Sequence, residues 1–381
     1  MVLTRRAYKS IARWLPNEVI SEIIQAAPPH DQASLCRTTT LFQGLGVPLL
    51  YRVVDLKTVA SVEAFCSTIA SHTAKFAKLV RSLTVDAHAF QYIYQLIVPL
   101  FECVKVLLDI ESLYILGPPA YMQGPAQEWS SLTLPRLLYC TLYTSDRHWT
   151  SNEGLGTLSS FLVRHPTLKS VTIRDSAQFE WPSTAARIPL PNLQRICAPA
   201  KVFPRIIVDG LKEARLEWEF RDEVHMWPPE PIFLALKATT RRENSFVCSI
   251  FCSNFELPSI MASASMHIPH AKALRIVVGD LRSDDAGLRS RDIQCVKKYL
   301  SRFTGLEFFS LEILFEQWER VSFGATEADD QLTVHDFGDL CSTLQACRLN
   351  QNACRRMNGT WERFPLDDFF PLAGITFVQN N

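Results

Sequence analysis

Four side chains of the types that bind metals lie close together in the sequence. Cys248 and Cys252 are followed by His267 and His270. A zinc site of two cysteines and two histidines normally has about twelve residues between the pairs and about three to five between the histidines. Here fourteen residues separate the pairs and two separate the histidines. Because Cys248, Ile250 and Cys252 also alternate like one face of a strand, we predict buried core cysteines and no metal site.

The other residues that could support catalysis form no known motif. The chain has no G-x-S-x-G or H-E-x-x-H motif and no glycine-rich phosphate loop. The spacing of Cys341, Cys347 and Cys354 matches no common metal knuckle. Three acidic pairs lie in polar, loop-like settings that predict solvated surface: Asp284–Asp285, Asp329–Asp330 and Asp367–Asp368. We predict a protein that is not an enzyme and binds no cofactor; a hydrolase with catalytic residues far apart in the sequence is the alternative.

The composition is that of a globular protein with balanced charge. Of 381 residues, 47% are hydrophobic and 20% are charged, so a large core is available. Lys and Arg together number 39, as do Asp and Glu, and this zero net charge predicts no nucleic-acid partner. The most apolar long segment, residues 92–110, is interrupted by Gln95, Glu102, Lys105 and Asp109. We therefore predict a core segment there and no membrane span.

The cysteines and the N-terminal residues predict a reducing compartment. The eleven cysteines lie mostly in apolar runs, and the chain does not begin with an apolar signal segment. We expect an intracellular protein, cytoplasmic and/or nuclear. The basic residues Arg5, Arg6, Lys9 and Arg13 leave an organelle or nuclear targeting signal as an alternative to a solvated lead-in over residues 1–13, which we favour.

Residues 15–32, LPNEVISEIIQAAPPHDQ, predict one short amphipathic helix. Its apolar residues share the spacing of a single helix face: Leu15, Val19, Ile20, Ile23 and Ile24. A Leu-Pro pair begins it, and Pro28 and Pro29 end it. Asp31 could cap a second short helix, and a third would follow before the extended stretch LLYRVVDL. Three helices of this size cannot cover all of their own apolar surface, so part must be covered from outside them.

The segment Leu15–Leu56 resembles the F-box of fungal (basidiomycete-type) F-box proteins. It opens with Leu-Pro-x-Glu followed by two aliphatic residues, and it has a Phe shortly before a Pro-Leu-Leu-Tyr-Arg tail. The resemblance implies a three-helix domain over residues 14–55 that docks on a Skp-type adaptor. The matching positions would either line the adaptor groove or pack the domain: Leu15, Pro16, Val19, Ile20, Ile23, Leu35 and Phe42. The second helix departs from the family pattern at Gln32, Arg37 and Thr38, where aliphatic residues are usual.

The rest of the chain repeats the pattern L-x-x-L-x-L, with any aliphatic residue, Cys or Ala allowed. The segments begin at Val80, Ile110, Leu137, Leu168, Leu193, Leu211, Val247, Ala271, Leu306 and Leu344. Most intervals are near 25–35 residues, close to the roughly 20–29 residues of leucine-rich repeats. Three segments begin two residues after a proline, at Pro135, Pro166 and Pro191, and a proline there predicts a turn into a strand.

Helix-like stretches lie between these segments, including residues 62–78, 155–165 and 292–303. Strand, turn, helix and turn form the repeating unit of a parallel solenoid. We therefore predict an α/β fold: a small three-helix F-box, then a leucine-rich-repeat-like solenoid of neighbouring parallel strands and helices over residues 56–381.

The F-box resemblance implies a substrate-recognition adaptor of a cullin–RING ubiquitin ligase. The F-box would dock on the Skp-type adaptor, and the solenoid would hold an unknown protein substrate. Such a receptor acts by proximity, because it raises the effective concentration of the target beside the ubiquitin-charged enzyme. The polar departures in the second helix motivate a second hypothesis, a protein-binding scaffold that is uncoupled from ubiquitination.

Overall fold

The computed structural model describes residues 15–86, 94–116, 131–144, 152–175, 187–218, 228–240, 245–253, 255–280, 286–315 and 327–376. The chain divides into two compact units, Met1–His148 (unit 1) and Trp149–Asn381 (unit 2). Within the ranges given above, no helix combines the length and apolarity needed to cross a lipid bilayer.

Unit 1 begins with three short helices, α1 (Asn17–Ala26), α2 (Pro29–Cys36) and α3 (Thr40–Arg52). The proline pair both ends α1 and begins α2, because a proline is tolerated in the first turn of a helix. Asp31 therefore lies inside the first turn of α2, and the prediction that it caps this helix was wrong. Thr39 caps α3 by accepting a hydrogen bond of 3.1 Å from the Phe42 amide.

The three helices pack closely around Gly46 of α3. Ile20 and Ile24 of α1 are 2% and 0% exposed. A Cβ atom added to Gly46 would lie 2.5 Å from Cys36 Sγ and 3.5 Å from Ile24 Cγ2. Glycine at this position therefore lets α1 and α2 approach the backbone of α3.

A parallel sheet follows in unit 1, with its strands in chain order. The strands are β1 (Val53–Leu56), β2 (Ser82–Asp86), β3 (Ser112–Leu116) and β4 (Tyr139–Thr144). Each pairs in parallel with the next. The helices between them are α4 (Val59–Ser71), α5 (Thr73–Phe76) and α6 (Tyr94–Val106).

Unit 2 contains a larger, mostly parallel sheet. Its strands are β5 (Ser170–Asp175), β7 (Arg195–Pro199), β9 (Glu213–Glu217), β10 (Val247–Ser253), β11 (Ala273–Asp280), β12 (Phe308–Phe315), β13 (Ala346–Leu349), β14 (Asn352–Met357) and β15 (Thr360–Arg363). Neighbours from β5 to β13 pair in parallel, whereas β13, β14 and β15 pair antiparallel. Two short strands, β6 (Ile188–Pro189) and β8 (Ile206–Ile207), form a separate pair.

The helices of unit 2 alternate with these strands. They are α7 (Asn152–Arg164), α8 (Pro229–Thr239), α9 (Leu257–His267), α10 (Ala286–Leu300), α11 (Glu327–Leu340) and α12 (Leu366–Ala373). The chain as described is thus α/β with a large, mostly parallel sheet, which confirms the predicted α/β class.

All ten L-x-x-L-x-L segments contribute a strand, and within each unit these strands are parallel neighbours, as predicted. Nine of the strands begin two residues after the first position of their segment. The segment that the pattern places at Val247 is the exception. Val247 is itself the first residue of its strand and pairs with Glu213 and Ala273, the first residues of the two neighbouring strands. The pattern therefore places this segment two residues too late in the sequence. The predicted turns are present as well: the amides of Leu137, Leu168 and Leu193 each close a turn around the preceding proline.

The two faces of the unit 2 sheet are covered differently. Phe309 of β12 packs edge-on against Phe337 of α11, with ring centroids 5.4 Å apart. Its neighbour Phe308 points to the opposite face, where it joins a buried cluster with Phe369 and Ala373 of α12. The C-terminal helix therefore lies on the sheet face opposite α11.

Candidate functional site

The apolar residues of α1 separate into an outer and an inner set. Leu15, Val19 and Ile23 are 38%, 37% and 52% exposed. Val19 and Ile23 are four residues apart on α1 and so share one side of the helix, and Leu15 lies two residues before the helix begins. Ile20 and Ile24 are buried on the inner side. We call Leu15, Val19 and Ile23 the α1 stripe; together with Pro16 they are the exposed members of the predicted adaptor-binding set.

The other predicted adaptor-binding residues differ in how far they are exposed to solvent. Pro16 is exposed at the start of α1, while Leu35 and Phe42 are half-buried. Ile20 is part of the internal packing of the three helices rather than of the stripe. Sequence periodicity could not separate Ile20 from Ile23, because both fall within the broad apolar face of an amphipathic helix.

Two of the polar residues in and after α2 have local structural roles. Gln32 donates from Nε2 to the Ala27 carbonyl at 2.8 Å, which ties α2 to the end of α1. Thr38 Oγ1 donates to the Leu35 carbonyl at 2.8 Å and so satisfies a group at the end of α2. Arg37 is exposed. Gln32 and Thr38 therefore stabilise the connections between these helices.

The structure places Cys248 and Cys252 in the core, as predicted. Both lie on β10 and are 0% exposed, and burial raises the pKa of both thiols. The His270 ring shares a 3.0 Å hydrogen bond between Nε2 and Thr240 Oγ1. Among the residues that the structure describes, no three potential metal ligands form a group that could hold an ion.

We expect purified protein to bind no stoichiometric zinc, and a chelator to leave its melting temperature unchanged. The reason is that a zinc ligand must be a thiolate, whereas burial here favours the protonated thiol. Metal analysis and thermal melts with and without EDTA would check this. Zinc near one equivalent, lost together with stability in Cys252→Ala, would reverse the conclusion.

The structure shows where most of the remaining candidate cysteines and acidic residues lie. Cys347 and Cys354 are opposite each other on β13 and β14, and both are buried with Cys341. Asp330 lies in α11, is buried, and accepts a 2.9 Å hydrogen bond from Asn352 Nδ2, so the prediction of a solvated loop was wrong there. Asp367 and Asp368 are exposed, but in the first turn of α12 rather than in a loop. The pair 284–285 lies outside the described residues.

A buried row of alternating arginines and serines crosses the α12-facing side of the unit 2 sheet. Register places these residues side by side on β9 to β13: Arg215, Ser249, Arg275, Ser310 and Arg348. All five are at most 5% exposed. Adjacent strands are about 4.8 Å apart, so successive arginines are about 10 Å apart and the small serines leave room between them.

Aromatic rings fill the spaces between the guanidinium groups. The Phe251 ring centroid lies 3.9 Å from Arg215 Cζ and 5.4 Å from Arg275 Cζ. The Phe370 ring of α12 lies 4.7 Å from Arg275 Cζ and 4.6 Å from Arg348 Cζ. Three cations and two rings therefore alternate across five strands, and we call this arrangement the Arg–Phe stack. Each contact is a cation–π interaction, which is stronger where water is excluded.

Two carboxylates neutralise most of this positive charge. Arg215 Nη2 lies 2.8 Å from Glu217 Oε1. Glu312 Oε1 accepts from both Arg275 Nε at 2.7 Å and Arg348 Nη1 at 2.8 Å. Burial lowers the pKa of Arg348, and Glu312 acts in the opposite direction. No sequence motif predicts this stack, because it depends on the register of five strands and on the packing of α12 against them.

The end of α12 continues along the same sheet face. Gly374 adopts the left-handed conformation (φ 74°) that ends the helix. Beyond it, the Thr376 amide donates to Glu213 Oε1 at 2.8 Å, and its hydroxyl donates to the second carboxylate oxygen. A cleft of about 340 Å³ lies beside this contact, lined by Lys212, Lys272, Ser245 and other residues. Among the described residues that line this cleft, none is a histidine or a cysteine.

Comparison with models of known protein families gives no match for this chain, and neither does comparison with curated proteins.

Proposed function

We propose that this protein is the substrate-recognition adaptor of a cullin–RING ubiquitin ligase, with an F-box at α1–α3 and a leucine-rich-repeat-like solenoid after it. The observation that carries the proposal is the α1 stripe. Val19 and Ile23 are exposed on one side of a helix whose other apolar side is buried, and Leu15 is exposed just before that helix begins. The stripe begins at the Leu-Pro-x-Glu sequence on which the F-box resemblance rests.

An exposed apolar stripe on a small helical unit suits a helix-in-groove partner. Apolar anchors four residues apart fit such a groove, and their burial supplies most of the binding energy. In the proposed complex the groove belongs to the Skp-type adaptor. The parallel strands, repeated at the spacing of the L-x-x-L-x-L segments, support the solenoid part of the proposal. The solenoid would hold the protein target, so that ubiquitin transfer depends on proximity rather than on chemistry performed by this chain.

We expect the wild-type chain to bind a purified fungal Skp-type adaptor and Ile23→Asp to bind it at least about 100-fold more weakly. A charge forced into an apolar contact costs several kcal/mol, and about 3 kcal/mol corresponds to this factor. Titration calorimetry would measure both affinities. Val98→Asp is the matched control, because Val98 is also 52% exposed and lies on α6 of the same unit.

The control should bind like the wild type. A wild-type chain that does not bind the adaptor would overturn the coupling to a ligase and leave the scaffold hypothesis. Equal losses of adaptor affinity in Ile23→Asp and Val98→Asp would mean that the α1 stripe is not the binding surface.

A further inference from the structure

Two buried cysteines of unit 1 face each other between neighbouring helices. Cys66 lies on α4 and Cys103 on α6. They are 6% and 5% exposed, and neither is in a disulfide. Cys103 Sγ lies 3.6 Å from the Cys66 carbonyl oxygen. The Cys103 thiol therefore lies directly against Cys66, between the two helices.

This contact makes the two thiols chemically different. The Cys103 side chain lowers the pKa of Cys66, although burial acts against this. The Cys66 side chain raises the pKa of Cys103, as do burial and the nearby Glu102. Cys66 is thus the member of the pair that more readily becomes a thiolate, which is the nucleophilic form. Elsewhere in the chain burial raises the pKa of isolated thiols such as Cys140 and Cys248.

The helix that carries Cys103 has a weak point one turn earlier. Pro99 lies inside α6 and is exposed. An internal proline removes one hydrogen bond of the helix and its ring crowds the preceding turn. Opening of α6 at Pro99 would give a small oxidant access to the thiol pair without global unfolding.

We propose that Cys66 and Cys103 are a peroxide-oxidised dithiol that forms a disulfide between α4 and α6. In the first step, the Cys66 thiolate attacks one oxygen of hydrogen peroxide; the O–O bond breaks, and the hydroxide released takes up a proton to become water. Cys66 is then a sulfenic acid. In the second step, Cys103 sulfur attacks Cys66 sulfur, the S–O bond breaks, and a second water leaves with the Cys103 proton. The dithiol loses two electrons and the peroxide gains two.

The disulfide would change the stability of unit 1. It joins residues 37 positions apart in the sequence, and a cross-link over a loop of this size restricts the unfolded chain. We therefore expect the oxidised form to melt several degrees higher than the reduced form.

The test uses the full-length chain treated with hydrogen peroxide and then trapped with a thiol-blocking reagent. Non-reducing peptide mapping should find a Cys66–Cys103 cross-link before oxidation accumulates at Cys36 and Cys295, the two more exposed cysteines. This comparison is decisive, because if exposure alone set the order of oxidation, Cys36 and Cys295 would be oxidised first.

Cys103→Ala should instead accumulate sulfenic acid at Cys66, detectable by a dimedone adduct, and should lose the peroxide-induced rise in melting temperature. Cys140→Ala, which removes another buried thiol of unit 1, should keep both the cross-link and the rise. Oxidation confined to Cys36 and Cys295, or a cross-link that forms only in denaturant, would overturn the proposal. So would a cross-link that Cys103→Ala does not abolish.

Discussion

Glu312→Gln should lower the free energy of unfolding by about 3–5 kcal/mol, the usual cost of removing one partner from a buried ion pair. One carboxylate oxygen of Glu312 accepts from both Arg275 and Arg348. Both arginine side chains are 6% exposed, so water cannot replace the lost partner. In the variant two guanidinium groups would stay buried without this counter-charge and would repel each other.

The matched control is Glu307→Gln, which removes a carboxylate just before the same strand. Glu307 lies 3.7 Å from Lys272, and both side chains are more than a third exposed. We expect a change within about 0.5 kcal/mol, as for other solvent-exposed pairs. Urea unfolding followed by tryptophan fluorescence would measure both variants. Similar values for the two would mean that the Arg–Phe stack does not depend on Glu312.

Ile20→Asp should destabilise the α1–α3 helices by several kcal/mol, whereas Ile23→Asp should leave them nearly unchanged. Ile20 is 2% exposed and packs inside the three-helix arrangement, so its replacement would bury an uncompensated carboxylate. Ile23 is 52% exposed, and a charge there remains in water. Hydrogen exchange read by mass spectrometry at residues 17–52 would separate local loss of these helices from global unfolding.

This pair of variants also separates folding from binding. Ile20→Asp should lose the adaptor because its helices open, and Ile23→Asp should lose it with its helices intact. Rapid exchange in Ile23→Asp would show that the α1 stripe is part of the fold, which would defeat the partner-binding interpretation.

The strands and their order were predictable because the signal is local. An L-x-x-L-x-L segment contains both the turn and the alternation of its strand, and a proline before Leu137 or Leu168 marks where the turn begins. The segment at Val247 was placed two residues too late, because in the observed register its first position is Ser245, which the apolar pattern does not accept.

The long-range contacts were not predictable from such patterns. Phe370 is one of two adjacent phenylalanines near the C-terminus, and only the docking of α12 brings it between Arg275 and Arg348. The pairing of Cys66 with Cys103 likewise requires α4 and α6 to be neighbours. At the α1 stripe, the sequence indicated an apolar helix face, but packing decides which residues of that face stay exposed.

The hairpin of β14 and β15 has a consequence for self-association. A parallel sheet built from repeats ends in a row of unpaired backbone groups, which can template a strand from another molecule. Here the chain reverses through Asn358 and Gly359, both with positive φ, and adds two antiparallel strands at this end. The last strand, TWER, exposes Glu362 and Arg363, and charged outer strands disfavour further pairing. The hairpin thus terminates the sheet at this end and protects it against open-ended polymerisation.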